Sequence, residues 1–127
     1  MTIQQFEQLV EQGIAEIPPH IQKKMENVEI VIENWPSPVQ LQQAGVAPGA
    51  LLFGLYQGVP QTKRGGHYAN VLPDKITLFQ GVIERVARTP EEVKERVKRT
   101  VWHEIAHHFG FDEKEVRDLE KKKYQNI

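Results

Sequence analysis

The chain has 127 residues, with 16 basic against 17 acidic side chains, a formal net charge of −1 and no cysteine. That length suits one domain, residues 1–127, with a core of its own. The near-neutral balance argues against a nucleic-acid partner, and the lack of cysteine excludes disulfides, thiolate zinc sites and Cys nucleophiles. No run approaches the ~18 apolar residues that span a bilayer. Met1 to Val10 lacks the basic cap and apolar centre of a signal peptide. The expectation is a cytoplasmic protein with no membrane partner; the oligomeric state is left open.

In chain order, residues 2–17 read as an amphipathic helix. Thr2 caps it with Gln5 as the other half of a capping box, and Phe6, Leu9, Val10, Ile14 and Ile17 recur at helical spacing. Pro18-Pro19 ends it, and a short helix over Ile21 to Asn27 follows. Val28 to Glu33 alternates as a strand with Val28, Ile30 and Ile32 on its buried face. Asn34 to Pro38 is a breaker cluster. Val39 to Ala44 is a helical turn closed by Gly45, and Pro48-Gly49 is a turn.

Ala50 to Gln57 reads as a second strand. Gly54 inside it marks a bulge or a close backbone approach. Val59 to Tyr68 is a polar, glycine-bearing loop. Lys75 to Gln80 is a third strand, and Val82 to Arg88 fits either helix or strand. Thr89, Pro90 and Glu92 form a strong helix start. That helix should run to about Phe109, with Gly110 as a left-handed cap. Asp112 then caps a last helix to about Lys122. The order describes an α+β domain, a few-stranded sheet with helices packed on it.

The long helix carries the chemistry. Val101 to Phe109 is apolar nearly all round, which predicts burial, yet it holds His103, Glu104, His107 and His108. Polar groups inside a core need partners, and a metal ion supplies them. His103 and His107 lie one turn apart on one face and can share an ion. Glu104, rotated ~100° from His103, flanks that site as a base for a metal-activated water. This is the H-E-x-x-H pattern of zinc hydrolases.

Gly110 follows as in H-E-x-x-H-x-x-G. Three residues on, where the extended pattern has a third histidine, this chain has Glu113. A carboxylate can ligate zinc, so Glu113 is the preferred third ligand. Asp112 is the alternative, with helix capping as its plainer role. Among other polar residues, His108 is expected to pack or hydrogen-bond. His67 and Tyr68 read as solvated loop residues or, less simply, as oxyanion donors. Lys63 and Arg64 are solubility residues or carboxylate binders, His20 is a surface residue, and Trp102 is a core anchor.

Three stretches make the sequence resemble a known group: Ala50 to Pro60, Leu72 to Phe79, and above all Thr100-Val101-Trp102-His103-Glu104-Ile105-Ala106-His107-His108-Phe109-Gly110. The chain resembles, from about Val28 to Leu119, the small bacterial zincin-like metallopeptidases, a minimal zincin family. The resemblance implies a small mixed sheet, an active-site helix, one zinc ion held by His103, His107 and Glu113, and Glu104 as general base. It also implies peptide or protein substrates, laid in zincins along an edge strand. Ala50 to Gly58 and Lys75 to Gln80 are the candidates for that strand. Two other readings remain: a module that keeps zinc and turns over nothing, and a zinc hydrolase acting on RNA. Glu104, the missing third histidine and the neutral charge all disfavour RNA.

Overall fold

The computed structural model describes residues 1–58 and 72–110. Helix α1 covers Ile3–Ala15 and opens with the expected capping box, in which Thr2 Oγ1 accepts from Gln5 N–H and Gln5 Oε1 accepts from Thr2 N–H. The following helix starts earlier than its hydrophobic pattern suggested. Pro19 takes its first position, so α2 is Pro19–Gln22, and Lys23–Met25 tightens into a 3₁₀ turn. Strand β1 is Val28–Glu33. Helix α3, Pro38–Ala44, has a full capping box from Ser37 and Gln40 and ends at left-handed Gly45.

Strand β2 is only Gly54–Gln57. The expected start at Ala50 is corrected: the chain over 50–52 stays irregular, and pairing begins where Phe53 C=O accepts from Phe79 N–H. Strand β3 is Asp74–Phe79, and Gln80 already belongs to α4, Gln80–Val86. Helix α5 is Pro90–His108, capped by Thr89 and Glu92 as expected. Gly110 has φ of 88°, the left-handed geometry that glycine adopts without steric cost. The expected last helix from Asp112 and the 59–71 loop lie outside the described residues.

The sheet order is β1-β3-β2. β1 runs parallel to β3, with Val28 opposite Asp74 and Glu33 opposite Phe79. β2 runs antiparallel to β3, with Gly54 opposite Leu78 and Tyr56 opposite Ile76. The small mixed sheet expected of an α+β fold is therefore present. The central strand is the apolar one, as a strand flanked on both edges must be: Ile76, Thr77, Leu78 and Phe79 are all buried. Lys75 to Phe79 is flanked on both sides, so among the described residues only β2, of the two candidates, lies at the edge of the sheet.

One sheet face carries the main core. Ile76 and Leu78 meet Phe6 and Val10 of α1 and Val97, Val101, Trp102 and Ile105 of α5. Leu55, Phe79 and Val82 form a smaller cluster, flanked by Ala44 of α3. A charged tie joins α1 to α5: Lys98, only 2 % exposed, holds Glu16 at 3.0 Å and Glu95 at 2.9 Å, and Lys94 holds Glu16 at 2.7 Å. The two lysines keep the Glu16 carboxyl below its ordinary value.

Candidate metal centre

The buried stripe of α5 is Val97, Val101 and Ile105 with Lys98, Trp102 and Ala106 beside it. Trp102 is 1 % exposed, the anchor its sequence setting predicts. The expectation that the whole segment to Phe109 is buried needs correcting. His103 and Glu104 are half-buried, and His107, His108, Phe109 and Gly110 are exposed. A 3.6-residue repeat puts these residues off the buried stripe or beyond its end. The histidines are therefore not stranded in a core; they line its border.

His103 and His107 lie together, with ring centroids 5.9 Å apart and planes 26° apart. A tetrahedral ion about 2.1 Å from a nitrogen of each ring sets the two centroids about 5.2 Å apart. The observed 5.9 Å is within about 1 Å of that spacing, and imidazoles are nitrogen donors of the borderline kind that zinc takes. Among the described residues no group of three His, Cys, Asp or Glu gathers as a metal site. Glu113, the expected third ligand, and its alternative Asp112 lie outside those residues.

Glu104 faces a different neighbour, strand β2. The β2–β3 register leaves the N–H groups of Gly54 and Tyr56 pointing away from β3, since antiparallel residues alternate between paired and outward-facing groups. The Tyr56 N–H donates to the Glu104 carboxylate. Burial pushes that carboxyl above the usual range, while the Tyr56 N–H and the charge on His107 pull the other way. Desolvation leads, so Glu104 is a stronger base than a carboxylate in water.

The approach of α5 to β2 depends on Gly54. A Cβ there would stand 2.7 Å from Thr100 Cγ2 and 3.1 Å from Thr77 C=O. Glycine is what the close approach requires, and no bulge is involved. Four helical residues advance about 6 Å and two strand residues about 6.6 Å, so the elements stay in step. Thr100 meets Gly54, Glu104 meets Tyr56, and His108 stacks on the Tyr56 ring at 3.9 Å. The Tyr56 hydroxyl donates to Asp74 at 2.6 Å, and His108 Nε2 lies 3.8 Å from the same carboxylate oxygen. His108 is thus a packing residue, as expected.

A model of the zincin-like metallopeptidase family matches residues 25–123. The chain belongs to that family. The match takes in β1 to β3, α5 and the positions after Gly110, so the zincin-like portion includes His103, Glu104, His107, Asp112 and Glu113. A conserved hypothetical protein from T. thermophilus has a similar structure, with a TM-score of 0.53 and 24 % identity over 85 % of this chain and 94 % of that one. That likeness shows a shared fold. No curated protein matches the chain.

Two features of this zincin-like site escaped sequence reasoning. The Tyr56 N–H is a backbone group, and no residue type announces its role. Arg96 and Arg99 border the same cleft as His103 and Glu104. Arg96 stands seven residues before His103, a helical spacing visible in the sequence. His20 is exposed, as expected. His67, Tyr68, Lys63 and Arg64 lie outside the described residues.

Proposed function

We infer that this chain is a zinc-dependent peptidase, a single domain over residues 1–127. In this reading His103, His107 and Glu113 hold one zinc ion and Glu104 is the general base. One observation supports it above the rest: a desolvated Glu104, fixed by an edge-strand N–H, stands beside two imidazoles spaced to share an ion. Bound zinc supplies a Lewis acid that polarises the peptide carbonyl and acidifies water. Glu104 takes the proton of the attacking water and passes it to the leaving amine. Its partial desolvation raises its basicity, and the Tyr56 N–H restrains its orientation. In this reading an extended substrate lies near β2, the edge strand beside Glu104.

The partners in this reading are peptides or proteins, and the compartment is the cytoplasm. Among the described residues no helix is long and apolar enough to cross a membrane. The test compares zinc-loaded wild type with Glu104→Gln on a proteome-derived peptide mixture, with cleavage mapped by mass spectrometry and bound zinc measured in both. Cleavage by the wild type should fall by about 10²–10⁴-fold in the variant, with zinc retained. Wild type that cuts nothing, or a variant that cuts equally well, overturns the reading; zinc without turnover points to a binding module.

A further inference from the structure

The sheet has a second edge at β1, on the other side of β3 from β2 and its Glu104 contact. Asp74 N–H donates to Asn27 C=O at 3.0 Å. β1 runs parallel to β3 from there, with Ile30 opposite Ile76 and Ile32 opposite Leu78. In that register the backbone groups of Glu29 and Val31 turn toward β3, and those of Val28, Ile30 and Ile32 turn away from it. Among the described residues no strand pairs with those outward groups. An apolar strand with an unpaired edge is a template for another strand.

The apolar cover thins toward that edge. Ile76 and Leu78 are buried, whereas their neighbours Ile30 and Ile32 are only half-buried. Between α1 and β1 lies a groove of about 410 Å³, with Ile3, Val10 and Ile14 on its helix side and Ile30 and Ile32 on its strand side. Ile3 is 48 % exposed. Glu7 and Glu11 also line the groove, and both are exposed. Successive strand residues alternate between faces, so Glu29 and Glu33 stand on the opposite face of β1, either side of Val31.

The charge at this edge is negative. No Lys or Arg occurs in residues 1–22 or 25–58. Lys23 and Lys24 sit on the 3₁₀ turn before β1, with the Lys24 ammonium 5.2 Å from the Phe109 ring centroid. The Met1 ammonium is held by Glu84 at 3.6 Å. Glu16 is matched by Lys94 and Lys98. Glu33 accepts from the neutral Gln40 side chain at 3.3 Å. Glu7, Glu11 and Glu29 form no ion pair among the described residues. The edge therefore joins an apolar groove to carboxylates that call for a cationic partner.

We propose that β1 and the α1–β1 groove dock an extended segment of another protein, in which apolar and basic residues alternate. Laid beside β1, such a segment exchanges main-chain hydrogen bonds with Val28, Ile30 and Ile32. Its apolar side chains enter the groove next to Ile30 and Ile32. Its Lys or Arg side chains fall on the opposite face, toward Glu29 and Glu33. Glu7 and Glu11 add to the field that steers a basic segment in. A second copy of this chain fits less well, because it would set these glutamates against their own kind. The docking needs neither zinc nor turnover, so it stands apart from the peptidase reading.

Amide hydrogen exchange on the full chain, read by nuclear magnetic resonance, tests it. The probe is a capped nonapeptide with lysine at odd positions and valine at even ones. At saturation the Val28, Ile30 and Ile32 amides should exchange at least tenfold more slowly, with the Tyr56 amide unchanged. Peptide affinity, followed by chemical shifts, should fall at least tenfold in Glu7→Lys/Glu29→Lys. That variant should instead bind a twin peptide with glutamate in place of lysine, a gain that misfolding cannot imitate. Three results overturn the proposal: no slowing of the three amides, affinity unmoved by the double replacement, or equal binding of a nonapeptide of the same composition with its lysines in one block. Slow exchange at those amides before any peptide is added also overturns it. If independent of protein concentration, it assigns the edge to another segment of this chain; if it grows with concentration, to a second copy.

Discussion

Replacing Gly54 with alanine tests whether α5 and β2 touch as closely as the site requires. The added methyl would stand 2.7 Å from Thr100 Cγ2 and 3.1 Å from Thr77 C=O, against a favourable carbon–carbon distance of about 3.5–4.0 Å. Relief needs close to 1 Å of movement at a junction bounded by backbone on one side. Overpacking of this kind costs about 1–3 kcal/mol. Gly54 is not among the positive-φ glycines, so alanine also narrows the unfolded ensemble, which returns about 0.4–1 kcal/mol. The net expectation is a loss of about 1–2 kcal/mol.

Thr100→Ser removes the offending methyl and keeps the hydroxyl that donates to Arg96 C=O at 2.7 Å. Urea denaturation of the two single variants and the double variant closes a mutant cycle. Gly54→Ala should cost about 1 kcal/mol less in the Thr100→Ser background than in the wild type. Displacing α5 also moves Glu104 relative to the Tyr56 N–H, so peptide cleavage should fall with stability. A neutral or stabilising Gly54→Ala, or an equal cost in both backgrounds, would refute the reasoning.

Three further outcomes follow from the same contacts. Lys98→Ala unties Glu16 and Glu95 from α5; both carboxylates keep access to water, so denaturant melts should show a loss of about 1–2 kcal/mol. The Glu16 carboxyl is lowered by Lys94 and Lys98, so its contribution is present above the ordinary value of 4.5 and lost as pH falls through its lower, folded value. A stability–pH profile should therefore drop less steeply below that point in Glu16→Gln than in the wild type. Gly110→Ala meets no atom within 4 Å but forces a side chain into φ of 88°; it should cost about 1–2 kcal/mol and weaken zinc binding, since Glu113 follows the turn.

Local signals were legible in the sequence. Thr2 with Gln5 and Thr89 with Glu92 marked two helix starts, and Gly110 marked a helix end, because each acts through neighbours within a turn. Ser37 and Gln40 carried the same signal, masked by the prolines around them. Gln80 to Val86 was not readable: Gly81, Val82, Ile83 and Val86 favour helix weakly. Tertiary packing decides it, with Val82 in the Leu55 cluster and Ile83 in the main core. The short β2 was overdrawn because Leu51 and Leu52 look like strand residues without a partner strand to pair them.

The candidate site divides along the same line. His103 and His107 pair through helical spacing, which any reader of the sequence can count. The setting of Glu104 depends on Gly54 admitting Thr100 across more than 40 intervening residues. No local rule encodes that approach. The expectation of burial failed in the last turn of α5 because composition does not reveal where the covering elements stop.

Zinc binding tests the central claim most directly. The chain should be purified without chelator and its zinc measured by mass spectrometry of the element, then titrated calorimetrically after chelation at neutral pH. One zinc per chain, with affinity lost in His103→Ala and His107→Ala and sharply reduced in Glu113→Gln, is the predicted result. No zinc affinity at neutral pH, or affinity unchanged by the histidine replacements, would contradict it.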